Sequence, residues 1–159
     1  MDIQLPKIIN LPKILDDRGN LTFLEGENHI PFKITRTYWI YDVPGGEARG
    51  GHAYKTTHEF IIAISGSFDV VLDNFRETKI FSLNRSYFGL YVPNMIWRKL
   101  ENFSTNSLCL ILASDDYDES EYIRDYEIFK QICHELKKKI RFTIVSSGNY
   151  LKYITEQVI

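Results

Sequence analysis

Between Asn20 and Ala113 the chain is a succession of short segments rich in β-branched and aromatic residues, each closed by a turn signal, and this rhythm decides the class of fold. The segments are LTFLEG, KITRTYWIYDV, EFIIAIS, SFDVVLD, TKIFSL, SYFGLYV, MIWRKLE and SLCLILA. They predict eight strands in a mainly β structure, an antiparallel sandwich or barrel. Alternation is plain in SFDVVLD, where Phe68, Val70 and Leu72 fall on one side and Asp69, Val71 and Asp73 on the other, so one side faces a core. The SGS step before FDVVLD predicts a hairpin in which Gly66 takes positive φ, and VLDNFRETKIF predicts a second.

After Ser114 the pattern changes. Tyr122, Ile123, Tyr126, Phe129, Ile132, Cys133 and Leu136 recur at helical spacing, with acidic residues before them and Lys137 to Lys139 behind, as a helix dipole prefers. One C-terminal α-helix of roughly five to seven turns is expected, laying an apolar stripe on the sheet or on a partner. The tail from Thr143 to Ile159 reads as a further strand plus a short helix. At 159 residues the chain fits one domain. Residues 1–141 are taken as that domain and 142–159 as an extension packed on it.

Composition closes off several function classes. A net charge of −2 gives no basic field for nucleic acid, and the lysine run is most simply a solvated helix end. Two cysteines make no disulfide framework, and Cys109 inside LCLILA reads as a buried free thiol. The N-terminal stretch has Asp2 where a leader would be basic, and no long apolar core, so neither a secretion signal nor a membrane helix is expected and the protein is placed in the cytoplasm.

The chemistry concentrates in GEARGGHAYKTTHEFIIAISG, where Gly46, His52, Tyr54, Glu59 and Gly66 stand at the intervals of the first cupin motif. Residues i and i+2 of a strand share a face, so His52 and Tyr54 can serve one small ligand inside a barrel. PNMIWRKLEN keeps Pro93 and Asn102 of the second cupin motif but puts Met95 at its glycine and Arg98 at its histidine. A guanidinium has no lone pair to give and repels a cation at a ligand position, so no metal is expected. His58, adjacent to Glu59, should face the opposite side of its strand. What converges is an acid/base imidazole, a phenol, a carboxylate and a cation, with Arg98 suited to an anion or an enolate-like oxygen. Arg18, Arg36 and Arg49 flank the same strands and suit a diphosphate, and Tyr38, Trp39 or Tyr91 offer rings for stacking. Lys55, beside Tyr54, is counted with the substrate-binding residues.

On DDRGNLTFLEGENHIPFKITRTYWIYDVPGGEARGGHAYK, GLYVPNMIWRKL and ILASDDYDESEYIRDYEIF, covering roughly residues 7 to 133, the sequence resembles the cupin-type sugar 3,4-ketoisomerases that act on dTDP-4-keto-6-deoxyglucose. The resemblance implies a jelly-roll barrel and a metal-free, cofactor-free enzyme that moves a ketone from C4 to C3 of a dTDP-sugar. An aminotransferase would act next, toward deoxyamino sugars of surface glycans such as lipopolysaccharide. It also implies His52 in the active site, Tyr38 orienting the sugar, Tyr54 in place of a second histidine, and Arg18, Arg36 and Arg49 as substrate contacts. It implies homodimers that exchange their N-terminal strands. An Arg at position 18 goes with galacto-type products and one at position 98 with gluco-type products; this chain has both, and the reading favours gluco. The competing readings are a nucleotide-sugar 3,5-epimerase on the same barrel and a non-catalytic cupin that only binds the nucleotide sugar.

Overall fold

Why EFIIAIS is apolar on both sides explains the layout of the whole barrel. In the computed structural model, which describes residues 5–147, this segment is Glu59–Ser65 (β6), a central strand of a five-stranded antiparallel sheet. Its neighbours are Phe88–Val92 (β9) and Leu108–Ala113 (β11), flanked by Lys7–Asn10 (β1) and Arg36–Ile40 (β4), in the order β1-β9-β6-β11-β4. Ile61 and Ala63 face a core shared with the second sheet, whereas Phe60 and Ile62 face a separate cluster with Leu11, Ile30, Phe32, Tyr91 and Leu112. Both faces are covered, so no polar alternation survives.

The second sheet runs β12-β5-β10-β7-β8, from Tyr122–Ile123 (β12), Arg49–Tyr54 (β5), Trp97–Glu101 (β10), Phe68–Asp73 (β7) and Thr78–Leu83 (β8). It contributes Phe68, Val70, Leu72, Leu83 and Leu100 to the shared core, opposite Ile61, Leu90, Val92, Cys109 and Ile111. Lys13–Ile14 (β2) and Leu21–Thr22 (β3) form a separate two-stranded ribbon. All pairings between named strands are antiparallel, as the expected jelly-roll barrel requires.

Every predicted segment contains a strand, and the alternation in β7 is as read, with Phe68, Val70 and Leu72 buried. The second expected hairpin forms, β7 to β8 with Asp73 opposite Thr78, but the first does not. Gly66 does take positive φ, yet SGS carries the chain from β6 in the first sheet to β7 in the second, and the two strands do not pair. Cys109 is a buried free thiol. Four strands escaped the segment reading: β1, β2, β5 and β12. The helical reading started too early. Glu119–Glu121 is a 3-10 turn capped by Asp118, followed by β12, and the α-helix spans Tyr126–Ser147 (α1). Asp125 caps α1, its carboxylate accepting from the N–H groups of Glu127 (2.7 Å) and Ile128 (3.1 Å), which satisfies donors the helix itself leaves open.

The chain divides into two compact units between Arg124 and Asp125. The strands belong to the first and α1 to the second. The strand expected from Thr143 onward is not seen as far as Ser147, where α1 continues; the rest of that expectation lies outside the described residues.

Gly66 sits at φ +66°, and a Cβ there would lie 2.8 Å from the backbone Cα of Ser107. Gly66→Ala should therefore destabilise the protein by about 1–3 kcal/mol, read as a lower urea midpoint at unchanged slope.

Candidate active site

The site is organised by a buried ion pair. Arg98 on β10 and Glu59 at the start of β6 are 2% and 1% exposed. Arg98 Nε donates to Glu59 Oε2 at 2.7 Å and Nη2 to Oε1 at 2.9 Å, a two-pronged contact inside the barrel. Nη2 also donates to the Tyr38 hydroxyl (2.9 Å), which in turn donates to Glu59 Oε1, and Nη1 donates to the Gly50 carbonyl (3.2 Å). Burial opposes charge on either partner, but each outweighs that for the other: Arg98 holds the Glu59 carboxyl below its usual range, and Glu59 raises the guanidinium. Most of the guanidinium's N–H groups are thereby committed within the protein. Arg98 is a fixed cation more than a free anion clamp.

Gly50 makes room for it. Arg98 lies opposite His52 and Leu100 opposite Arg49, so β5 carries one extra residue over this interval, a bulge with Gly50 at φ +69°. A Cβ on Gly50 would lie 2.0 Å from Arg98 Nη1. The first glycine of RGGH, Gly50, thus leaves the space that the guanidinium fills.

Beside this network is a cleft of about 360 Å³. His52 and Tyr54 line it from β5, Arg98 from β10, and Tyr38 and Ile40 from β4, with Arg49 and Gly50 at the bulge. His52 is 6% exposed, and its Nε2 has no hydrogen-bond partner; the Tyr54 hydroxyl, also buried, has none either. Their rings meet edge to face with centroids 4.9 Å apart. Burial, and then the Arg98 charge, pushes the His52 imidazole down to about 3, so it is neutral near pH 7. Burial, reinforced by Glu59, raises the Tyr54 phenol well above its usual range. The cleft therefore presents a neutral imidazole and a protonated phenol side by side, both unpaired. Buried polar groups without partners cost about 1–3 kcal/mol each, and a polar ligand would relieve that.

The other expected residues divide. Arg36 is half-buried, lies over the Tyr38 ring (5.3 Å) and the Tyr117 ring (5.6 Å), and leaves Nε and Nη2 without partners. Arg49 lines the cleft. Tyr91 does not reach it. Leu90 and Val92 point inward opposite Ile61 and Glu59, so Tyr91 points outward with Phe60, and its hydroxyl pairs with His58 Nδ1 at 2.7 Å. The same alternation sends His58 away from Glu59, as expected. Lys55 Nζ donates to the Ser120 carbonyl outside the cleft. Arg18, its side chain 90% exposed, pairs with Asp16 at 2.8 Å in the loop between β2 and β3. Trp39 is on the exposed face of β4. Two lining residues were missed, Tyr122 and Arg124, brought in by β12 and the residue after it. Their signal was EYIRDY, whose helical spacing hid a short strand.

A carboxylate, a histidine and a neighbouring phenol could suggest a metal centre. The donor set does not fit one, because both Glu59 oxygens already accept from Arg98, whose positive charge occupies the place a cation would take.

Fold and cleft together define a cupin-type barrel with a polar interior site built around a buried guanidinium–carboxylate pair. A family profile described as WxcM-like, C-terminal, matches residues 4–134, and the chain belongs to that family. It is similar to a TDP-4-oxo-6-deoxy-alpha-D-glucose-3,4-oxoisomerase of Aneurinibacillus thermoaerophilus, 41% identical over 79% of this chain and 90% of that one. Among solved structures it is similar to a 3,4-ketoisomerase from Helicobacter canadensis, with 42% identity, TM-score 0.79, and 81% of this chain and 97% of that one covered. A second is QdtA, a sugar 3,4-ketoisomerase from Thermoanaerobacterium thermosaccharolyticum in complex with TDP, with 36% identity, TM-score 0.80, and coverage of 82% and 95%.

Arg98→Ala should cost about 3–5 kcal/mol at neutral pH by stranding Glu59. In the wild type, Glu59 titrates below its unfolded value of 4.5, so its contribution is present above that pH and lost as pH falls through the depressed value. Without Arg98, burial raises the carboxyl against the one remaining hydrogen bond from Tyr38, and the variant gains relative stability as pH falls. Urea unfolding should show the deficit shrinking from about pH 7 to about pH 5; a constant deficit would mean that the Tyr38 hydroxyl is enough by itself to keep Glu59 ionised.

Proposed function

We propose that the protein is a sugar-nucleotide 3,4-ketoisomerase, converting dTDP-4-keto-6-deoxy-D-glucose to the dTDP-3-keto-6-deoxyhexose. The observation that carries this reading is the pair of unpartnered groups on one strand, His52 Nε2 and the Tyr54 hydroxyl, facing one cleft. Support comes from the relatives, which are named for this substrate or this reaction.

The conversion moves two protons. One leaves C3 as a bond to carbon and returns to C4; the other leaves the C3 hydroxyl and ends on the C4 oxygen. His52 takes the first. As a neutral base it accepts the C3 proton while the adjacent ketone becomes an enediolate, and that developing negative charge favours the imidazolium that Arg98 alone would disfavour. The imidazolium then gives the proton to C4. Tyr54 suits the second transfer: its phenol gives its proton to the C4 oxygen as its own oxygen takes the C3 hydroxyl proton, a single concerted relay that leaves it unchanged. It need never ionise, which its raised pKa would resist. Arg98 contributes fixed positive potential beside the enediolate. Tyr38 offers the cleft its ring, since its hydroxyl is shared with Glu59 and Arg98. Arg36, with two unpartnered nitrogens, and Arg49 are the candidates for the diphosphate.

The product is expected to be gluco-configured, because Arg98 lies in the cleft and Arg18 lies outside it. The active form is a homodimer that exchanges N-terminal strands. Within one chain β1 pairs with β9, a pairing a partner's β1 could make in the same register, and exchange would move Arg18 relative to the cleft. The enzyme works in the cytoplasm, and an aminotransferase consumes the 3-ketone for surface glycans, lipopolysaccharide among them.

The test is incubation with dTDP-4-keto-6-deoxyglucose in deuterated water, followed by NMR. A 3-keto sugar is expected from the wild type and none from His52→Asn, which should still bind TDP. Exchange at C5 without a ketone shift would instead mark an epimerase, and binding without exchange a non-catalytic module.

A further inference from the structure

Tyr122 has no part in the two proton transfers, yet the structure sets it against both groups that make them. β12 pairs with β5 so that Tyr122 lies opposite Tyr54 and Ile123 opposite Ala53. The Tyr122 ring is 4.9 Å from the His52 ring and 4.6 Å from the Tyr54 ring, centroid to centroid. With the 4.9 Å separation of His52 and Tyr54, the three rings form a closed triangle on one wall of the cleft.

A two-residue strand does not hold such a position by its ladder alone. Here side chains fix it from both ends. Arg124 lies over the Tyr122 ring at 4.2 Å and is gripped by both Glu119 oxygens, at 2.7 and 3.0 Å. Glu119 also accepts from the Tyr117 hydroxyl (2.6 Å), and the Tyr117 ring is 5.7 Å from Tyr122. The Glu121 carboxylate accepts from the Thr56 amide (3.0 Å) and hydroxyl, while the Lys55 amide donates to the Glu121 carbonyl (3.1 Å). These contacts converge on placing one ring.

We propose that Tyr122 is a positioning residue whose ring closes the His52–Tyr54 wall, holding both side chains in place and keeping water from the proton in transit. The inference rests on the isomerase reading. In that reading the C3 proton resides briefly on the His52 imidazolium, where water reaching the ring would exchange it before delivery to C4. The ring performs this shielding, not the hydroxyl.

Turnover in deuterated water provides the test, with TDP binding measured in parallel. Tyr122→Ala should lose tenfold to a hundredfold in kcat with KM and TDP affinity nearly unchanged, and should place more deuterium at C4 per turnover than the wild type. Tyr122→Phe, which keeps the ring, should restore both the rate and the lower deuterium content. Three results would each overturn the proposal: wild-type product already fully deuterated at C4, a Tyr122→Phe variant as impaired as Tyr122→Ala, or a Tyr122→Ala variant indistinguishable from wild type. A wild type that forms no 3-keto sugar would instead remove the isomerase reading on which the proposal stands.

Discussion

The contact between Arg98 and Glu59 is the constraint on which the site depends. Two fully buried opposite charges are not by themselves a strong source of stability, because each gives up its hydration to enter the barrel. Their value is positional. The carboxylate has both oxygens occupied, and the guanidinium is held from Glu59, Tyr38 and Gly50 at once. An unvarying positive charge is therefore fixed at the inner end of the cleft. That charge adds to the effect of burial in keeping His52 neutral.

Backbone geometry supports the arrangement. The bulge at Gly50 lets β5 bend around the guanidinium, and after it His52 and Tyr54 emerge on the same face. Covering both faces of β6 gives Glu59 its inward direction, because its parity with Ile61 and Ala63 is tied to the core. A one-residue slip of β6 would bring His58 into the barrel in place of Glu59. Core packing and site chemistry thus share a single register.

Much of this was legible in the sequence, and what was not has definite physical causes. Strand segments with β-branched and aromatic residues announced themselves, and the parity rule sent His58 outward correctly. The same rule applied to SYFGLYV would have sent Tyr91 outward too, since it pairs with Phe60. β5 was overlooked as a segment because two glycines and a histidine carry little strand propensity; the bulge is what the first of them, Gly50, is for. Tyr122 and Arg124 were absorbed into the helix because Tyr122, Ile123, Tyr126 and Phe129 fit its spacing, although Asp125 is the residue that caps α1. Spacing located Arg98 but could not show that its donors are spent inside the protein. Arg18 is a different case, since its place relative to a cleft can depend on a second chain that one sequence does not display.

The central claim is that a guanidinium fills the slot a cation would otherwise occupy, so proton transfer proceeds through His52 without a metal. Its most direct test is the turnover rate before and after exhaustive chelation, followed by addition of zinc or ferrous iron. The predicted result is one rate throughout, whereas loss of activity on chelation that either metal restores would contradict the account.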